Sequence, residues 1–424
     1  MKINLGELID KGIITDATAT SIEQYYSSQH KSNPNRLLLV FAILGSLLIG
    51  AGIILIIGHN WDTFPRWIKT GLSFLPLLIA QAIVLYTILK KYDNPVWREA
   101  SAVLLFFGIG ASISLVSQVY HIVGDIKSFL LTWIILTIPI IYLLKSKATL
   151  ILVIGFLTSY GQQVGYMYKR SIPYYYWILM ASLIPFIYQL FKSEKVSHSL
   201  SFILLLFLGS ITLLLGTFES DFSPVALGMY MSYFGLLYLI GIWYKRFTAS
   251  FLQNPFIVIG CLGIIIFLFI AGFQGFWESV SDSRNAIDWT ELSIYIWISL
   301  TMVATALLAY LFSKNKISIA NPLNYSFLLF IIIYALCYVN PLISVTLSNF
   351  LLFLISISLI WRGNTELDLR LLNVGLAIIV ILIIARFFDF NISFIVRGII
   401  FVILGIGFFL ANYAIIKKRK DYES

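Results

Sequence analysis

The sequence predicts an all-α integral membrane protein: a polytopic bundle of about 14 transmembrane helices preceded by a short cytoplasmic helical hairpin. Three observations carry that expectation. Of the 424 residues, 59% are hydrophobic and only 12% charged, about half the charge of an ordinary soluble domain, so no water-facing surface can be built to match such a core. From Leu37 onward, apolar runs close to the ~20 residues that cross ~30 Å of hydrocarbon recur with short interruptions. The runs are continuous and not alternating, which favours helices over barrel strands.

Residues 1–36 hold four basic and four acidic residues spread along a polar segment. That pattern is unlike the basic start and immediate apolar core of a cleaved secretory signal, so the segment is expected to be retained in the cytoplasm. Leu5, Leu8 and Ile9 share a helical face, Gly12 ends that turn, and Thr15 stands where it caps a second helix whose apolar side is Ala19, Ile22, Tyr25 and Tyr26. An amphipathic pair of this kind rests on the membrane surface, on a protein partner or on a second copy of the chain.

The fourteen expected spans are 37–58, 67–89, 99–119, 128–144, 148–164, 173–191, 200–217, 224–244, 255–273, 292–312, 322–338, 342–360, 370–388 and 393–416, which leaves a basic tail at 417–424. With both termini placed in the cytoplasm, 21 of the 29 Lys and Arg residues fall on the inner side. The weakest span, 148–164, carries Tyr160, Gln162 and Gln163; deleting it inverts everything downstream and reduces the bias to 14 inside against 15 outside. Pro76, Pro139 and Pro185 inside spans, with glycines at 45, 50, 52, 108 and 110, predict kinks and close helix packing.

Lys and Arg never form a basic face interleaved with stacking aromatics, so no nucleic-acid partner is expected; the bilayer is the partner that composition demands. Cys261 and Cys337 both lie inside apolar runs, without disulfide or zinc spacing. No P-loop, HExxH or haem-type histidine pair occurs, and no cofactor is expected. What remains are polar residues at helix ends expected on the outer face. His59, Asn60, Trp61 and Asp62 follow the first span, and Gln118, Tyr120, His121 and Asp125 follow the third. Each set puts a histidine and a carboxylate within about a helical turn, the groups that serve near neutral pH as bases or ligands. The alternative is loop chemistry, with the aspartates as caps, the tryptophan as an interfacial anchor and the histidines as wetted helix ends. Arg386 and Asp389 sit three apart at the end of the thirteenth span, where they can pair with each other or form a fork for a phosphate or carboxylate.

The segments Leu8-Ile9-Asp10-Lys11-Gly12-Ile13-Ile14, Gly50-Ala51-Gly52-Ile53-Ile54-Leu55, Asn60-Trp61-Asp62 with Pro65-Arg66-Trp67 and Lys69, and Gln118-Val119-Tyr120-His121 with Gly124-Asp125 resemble the bacterial predicted membrane proteins defined by domain of unknown function 2157. The resemblance covers about the first 145 residues. The stretch with Leu372-Asn373-Val374-Gly375, Arg386-Phe387-Phe388 and Gly405 is similar to the end of such proteins. It implies a bacterial inner-membrane protein, makes the Asn-Trp-Asp and Tyr-His-x-x-Gly-Asp signatures family features, and brings no activity with it. Three readings follow. The first is a transporter or flippase-like protein for a small polar or lipid-linked substrate, suited by short loops and intramembrane prolines and glycines. The second is a non-catalytic scaffold or sensor, with the hairpin as its arm. The third is an outer-leaflet enzyme, such as a lipid-linked glycan transferase using Asp62, His121 and Arg386. The near absence of acidic residues deep within spans leans away from an ion-coupled carrier, and no residue is assigned a catalytic role outside the third reading.

Overall fold

The computed structural model describes residues 12, 15–21, 36–59, 64–167, 171–193, 197–219, 224–244, 254–282, 292–366 and 368–389, with isolated positions between 395 and 413. Every regular element among them is helical. The first unit, Met1–Tyr160, contains α1 (Arg36–His59), α2 (Arg66–Lys90), α3 (Pro95–Val119), α4 (Ile126–Leu144) and most of α5 (Lys147–Gln162). The second unit, Gly161–Ser424, contains α6 (Tyr174–Ser193), α7 (His198–Leu215), α8 (Pro224–Trp243), α9 (Pro255–Ala271), α10 (Gln274–Asp282), α11 (Leu292–Ser313), α12 (Ser326–Cys337), α13 (Pro341–Thr365) and α14 (Leu369–Asp389).

Ten of the described helices are long and apolar enough to cross a bilayer. An eleventh crossing needs α9 and α10 taken together, two helices bent by 81° where they meet. The expected spans at 37–58 and 322–338 contain the shorter apolar stretches Val40–Gly52 and Pro322–Cys337, and the last expected span, 393–416, falls outside the described residues apart from isolated positions. The chain is therefore a multi-pass membrane protein. At the N-terminus, Gly12 has the positive φ of a helix stop, +68°, and Thr15 Oγ1 accepts the Thr18 amide at 3.3 Å as the cap of helical residues 16–21. The other residues of the expected hairpin lie outside the described residues.

Helix starts follow one device that the sequence repeats. Asn94-Pro95, Asn254-Pro255, Asn321-Pro322 and Asn340-Pro341 each place the asparagine at a cap, where its side chain accepts the backbone N–H two residues on, and the proline at the first helical position, where a missing N–H costs nothing. The start of α5 is held differently. Glu99 on α3 accepts the Lys147 and Ala148 amides at 3.0 Å each, together with the Ser146 hydroxyl. One carboxylate thus satisfies a neighbouring helix's orphan donors.

In the first unit α3 is central, packing against α1, α2 and α4. Small residues make this possible. A Cβ on Gly110 would run into the Trp133 ring, whose indole N–H donates to the Phe106 carbonyl at 2.7 Å. A Cβ on Gly108 would stand 3.0 Å from the Pro76 carbonyl. Gly45 and Gly52 meet nothing within 4 Å, so their expected packing role has no support among the described residues. The aromatic rings of Phe106, Phe129, Trp133 and Phe156 close this core. In the second unit α8 lies against α9, α11 and α12, with Leu239, Ala304, Leu311 and Phe327 fully buried.

Candidate functional site

The end of α3 and the start of α4 form a tight turn that fixes the positions of the expected polar residues. The Ile122 amide donates back to the Ser117 carbonyl at 2.9 Å and the His121 amide to the Gln118 carbonyl, closing α3 as a Schellman motif with His121 at the left-handed position, φ +48°. That place usually belongs to glycine; histidine fills it here with its ring exposed. Tyr120 turns toward α2, its hydroxyl 3.3 Å from Thr70 Oγ1 and its ring 5.2 Å below the Arg66 guanidinium. Asp125 caps α4 through the Ser128 amide at 2.8 Å and pairs with Lys127 at 3.2 Å. These contacts, led by the Ser128 amide, hold its carboxyl down at about 2.

Behind this turn lies a cavity of about 1120 Å³ between α2, α3 and α4. Along α3 its lining runs from Leu105 to Gln118, and along α4 from Ile126 to Ile140, which at 1.5 Å per residue is ~20 Å of depth, about two-thirds of the hydrocarbon thickness. Gln118, Asp125 and Ser128 stand at its mouth, Ser112 and Thr132 further in, and Gln81 on α2, among walls such as Phe74, Leu77, Leu105 and Leu136.

Two polar groups on this wall lack local partners. The Ser112 side chain is 4% exposed, and its hydroxyl, unlike those of Ser117 and Thr132, makes no hydrogen bond among the described residues. Gln81 lies three residues past the midpoint of α2, ~4.5 Å along the axis. Its exposed side chain also makes no hydrogen bond among the described residues. An amide that deep in hydrocarbon is costly unless something polar meets it. Neither residue stood out in the sequence, although a lone glutamine in the apolar run at 67–89 was a legible signal.

Of the expected site residues, Gln118 and Asp125 line the cavity, while Tyr120 and His121 shape its rim. His59 ends α1 but its side chain, and all of Asn60, Trp61 and Asp62, lie outside the described residues. Arg386 belongs to the second unit. Its guanidinium sits 4.4 Å over the Phe273 ring at the break between α9 and α10; the side chain of Asp389 lies outside the described residues. At that break Trp277 donates to the Ala271 carbonyl and Asn349 to the Gly272 carbonyl, so backbone groups released by the bend are satisfied inside the protein, as hydrocarbon requires. A Cβ on Gly272 would meet Arg386 Nη2 at 2.5 Å and Asn349 Oδ1 at 2.6 Å, so a larger residue at the corner would displace the ends of those two side chains.

Residues 6–150 match a family model described as "Predicted membrane protein (DUF2157)". This segment contains α1 to α4, the whole cavity lining and the polar turn. No curated protein and no solved structure matches the chain.

Proposed function

With a predicted membrane protein segment at residues 6–150 as premise, we propose that the protein is a transporter or flippase-like carrier whose cavity between α2, α3 and α4 accepts an amphipathic, lipid-linked substrate. The observation that carries this reading is the pairing of depth with lining. The cavity is polar at its mouth, keeps the unpartnered Ser112 hydroxyl and the Gln81 amide along its wall, and is otherwise apolar. A polar head group enters at Gln118 and Asp125, and its acyl or prenyl tail lies along Leu105, Leu136 and Ile140. The exposed Gln81 amide then offers a descending head group hydrogen bonds at a depth where hydrocarbon offers none, with the buried Ser112 hydroxyl on the adjoining wall of α3. A lipid carrier needs such stations along the bilayer normal; a purely structural groove does not.

On this reading the mouth opens to the outer side of a bacterial inner membrane, with both termini in the cytoplasm and fourteen crossings in all, an orientation that the distribution of Lys and Arg supports. On that topology His59, Asn60, Trp61 and Asp62 reach the same outer level as the mouth. Arg386 and Asp389, in the other unit, are a second candidate set on that outer side. The N-terminal segment is the candidate arm for a protein partner or a second copy.

Proteoliposomes of the purified chain, loaded with head-group-labelled phospholipid or a polyprenyl-linked saccharide, test the reading. Outer-leaflet bleaching should reach the inner pool in the wild type and stall in a Gln81→Leu, Ser112→Ala double variant. Equal, protein-independent rates for both probes would remove the carrier reading and favour the scaffold.

A further inference from the structure

The second unit holds a different kind of cavity, about 320 Å³, where the loop after α11 meets the ends of α8 and α13. Its wall is polar and prearranged. Asn321 donates to the Tyr238 hydroxyl at 2.9 Å while its carbonyl oxygen accepts the Leu323 amide and the Ser358 hydroxyl. Asn324 donates to the Ser318 carbonyl at 2.8 Å. Tyr238, Asn321 and Asn324 are each at most 8% exposed. Because these groups satisfy one another, the wall is rigid and takes up little binding capacity of its own.

Two cations face this wall. Arg362, with a side chain 31% exposed, gives two of its five donors to Glu366, at 3.3 and 3.2 Å. Lys316 lines the same cavity and enters no ion pair among the described residues. The lining therefore carries one more positive than negative charge. Trp361, 58% exposed, stands on the rim, and an exposed tryptophan at a helix end marks head-group depth. The charge bias puts Lys314, Lys316, Arg362 and Arg370 on the cytoplasmic side, where a basic pocket between spans meets anionic lipid.

We propose that Lys316 and Arg362 form a phosphate-binding pocket that takes the phosphate of an anionic lipid head group at the cytoplasmic leaflet. The ligand chemistry is a phosphate oxyanion. Arg362 contributes planar donors beyond those that engage Glu366 and Tyr238, Lys316 supplies a mobile point charge, and the Ser318–Asn324 turn bounds a volume of head-group size. This pocket stands independently of the carrier reading, since none of its lining residues borders the cavity of the first unit.

The test is retention of radiolabelled phosphatidylglycerol against phosphatidylcholine by the delipidated full-length protein, with inorganic phosphate as competitor. Wild type should prefer phosphatidylglycerol, and Lys316→Gln and Arg362→Gln should each weaken that preference about tenfold, the loss expected for removing one charge-assisted contact of ~1.4 kcal/mol. Lys314→Gln, close by but off the lining, should leave it unchanged. Displacement by inorganic phosphate would show that the pocket accepts free phosphate as well; retention in its presence would identify the head group as the source. Should Arg362→Gln fail to fold, the exposed Lys316→Gln decides alone. Equal retention of the two lipids by wild type, or an unaltered preference in Lys316→Gln, overturns the proposal.

Discussion

The two cavities deal with the polarity of their walls in opposite ways, although elsewhere the second unit also holds buried polar atoms, at Trp297 and Ser348, with no hydrogen bond among the described residues. In the second, Asn321, Asn324, Ser358 and Tyr238 form a closed network, and the carbonyls freed where α9 breaks are taken by Trp277 and Asn349. In the first, the Gln81 side chain is exposed on a residue that lines the cavity and the Ser112 hydroxyl is buried on another, and neither makes a hydrogen bond among the described residues. Satisfied polar groups in an apolar medium lock a structure. Unsatisfied ones cost free energy, which a polar ligand that reaches them can relieve. On the proposed carrier reading, the exposed Gln81 favours the first cavity as the substrate site, and the closed network makes a rigid wall of the second.

The largest expected effect tests the packing around the cavity. Gly110→Val drives a side chain into the Trp133 ring and should cost about 3 kcal/mol, the upper range of overpacking, read as a lower thermal midpoint in detergent. Next is the network of the second unit. Asn321→Ala removes a cap and one hydrogen bond to the Tyr238 hydroxyl, so a loss of about 2 kcal/mol is expected on the same scale. Ser112→Ala is the matching change in the first unit and should be nearly silent, within about 0.5 kcal/mol and neutral to stabilising, because no bond is lost. A Ser112→Ala loss as large as that of Asn321→Ala would erase the contrast.

The smallest effect is with pH. The folded carboxyl of Asp125, at about 2, lies below its ordinary value of 3.8. Its stabilising contribution is therefore complete above that ordinary value and lost only as pH falls through the folded one, so the Asp125→Asn difference in thermal midpoint should stay constant from about pH 5 to 8. A slope across that window would mean that the cap and the Lys127 pair do not hold the carboxylate.

Much of the architecture was legible because hydrocarbon imposes a length and a polarity on every crossing. Runs such as 67–89 and 99–119 return as α2 and α3 with ends shifted by only a few residues. The bend after Ala271 was hidden, because residues 255–273 and the polar helix behind them differ in composition and not in any breaker beyond Gly272. The Asp125 cap follows from an aspartate placed before an apolar run; His121 in a left-handed turn does not, since the usual signal there is glycine. Gln81 and Ser112 were missed for a physical reason. A serine or glutamine among the other polar side chains of α2 and α3 is ordinary until packing shows that nothing reaches it.

The most direct test of the cavity claim is native mass spectrometry of the chain released gently from its own membrane. Wild type should carry an amphiphile that Gln81→Leu sheds with an unchanged thermal midpoint, while Lys316→Gln keeps it. Equal occupancy in wild type and Gln81→Leu would contradict the assignment of the groove as a substrate site.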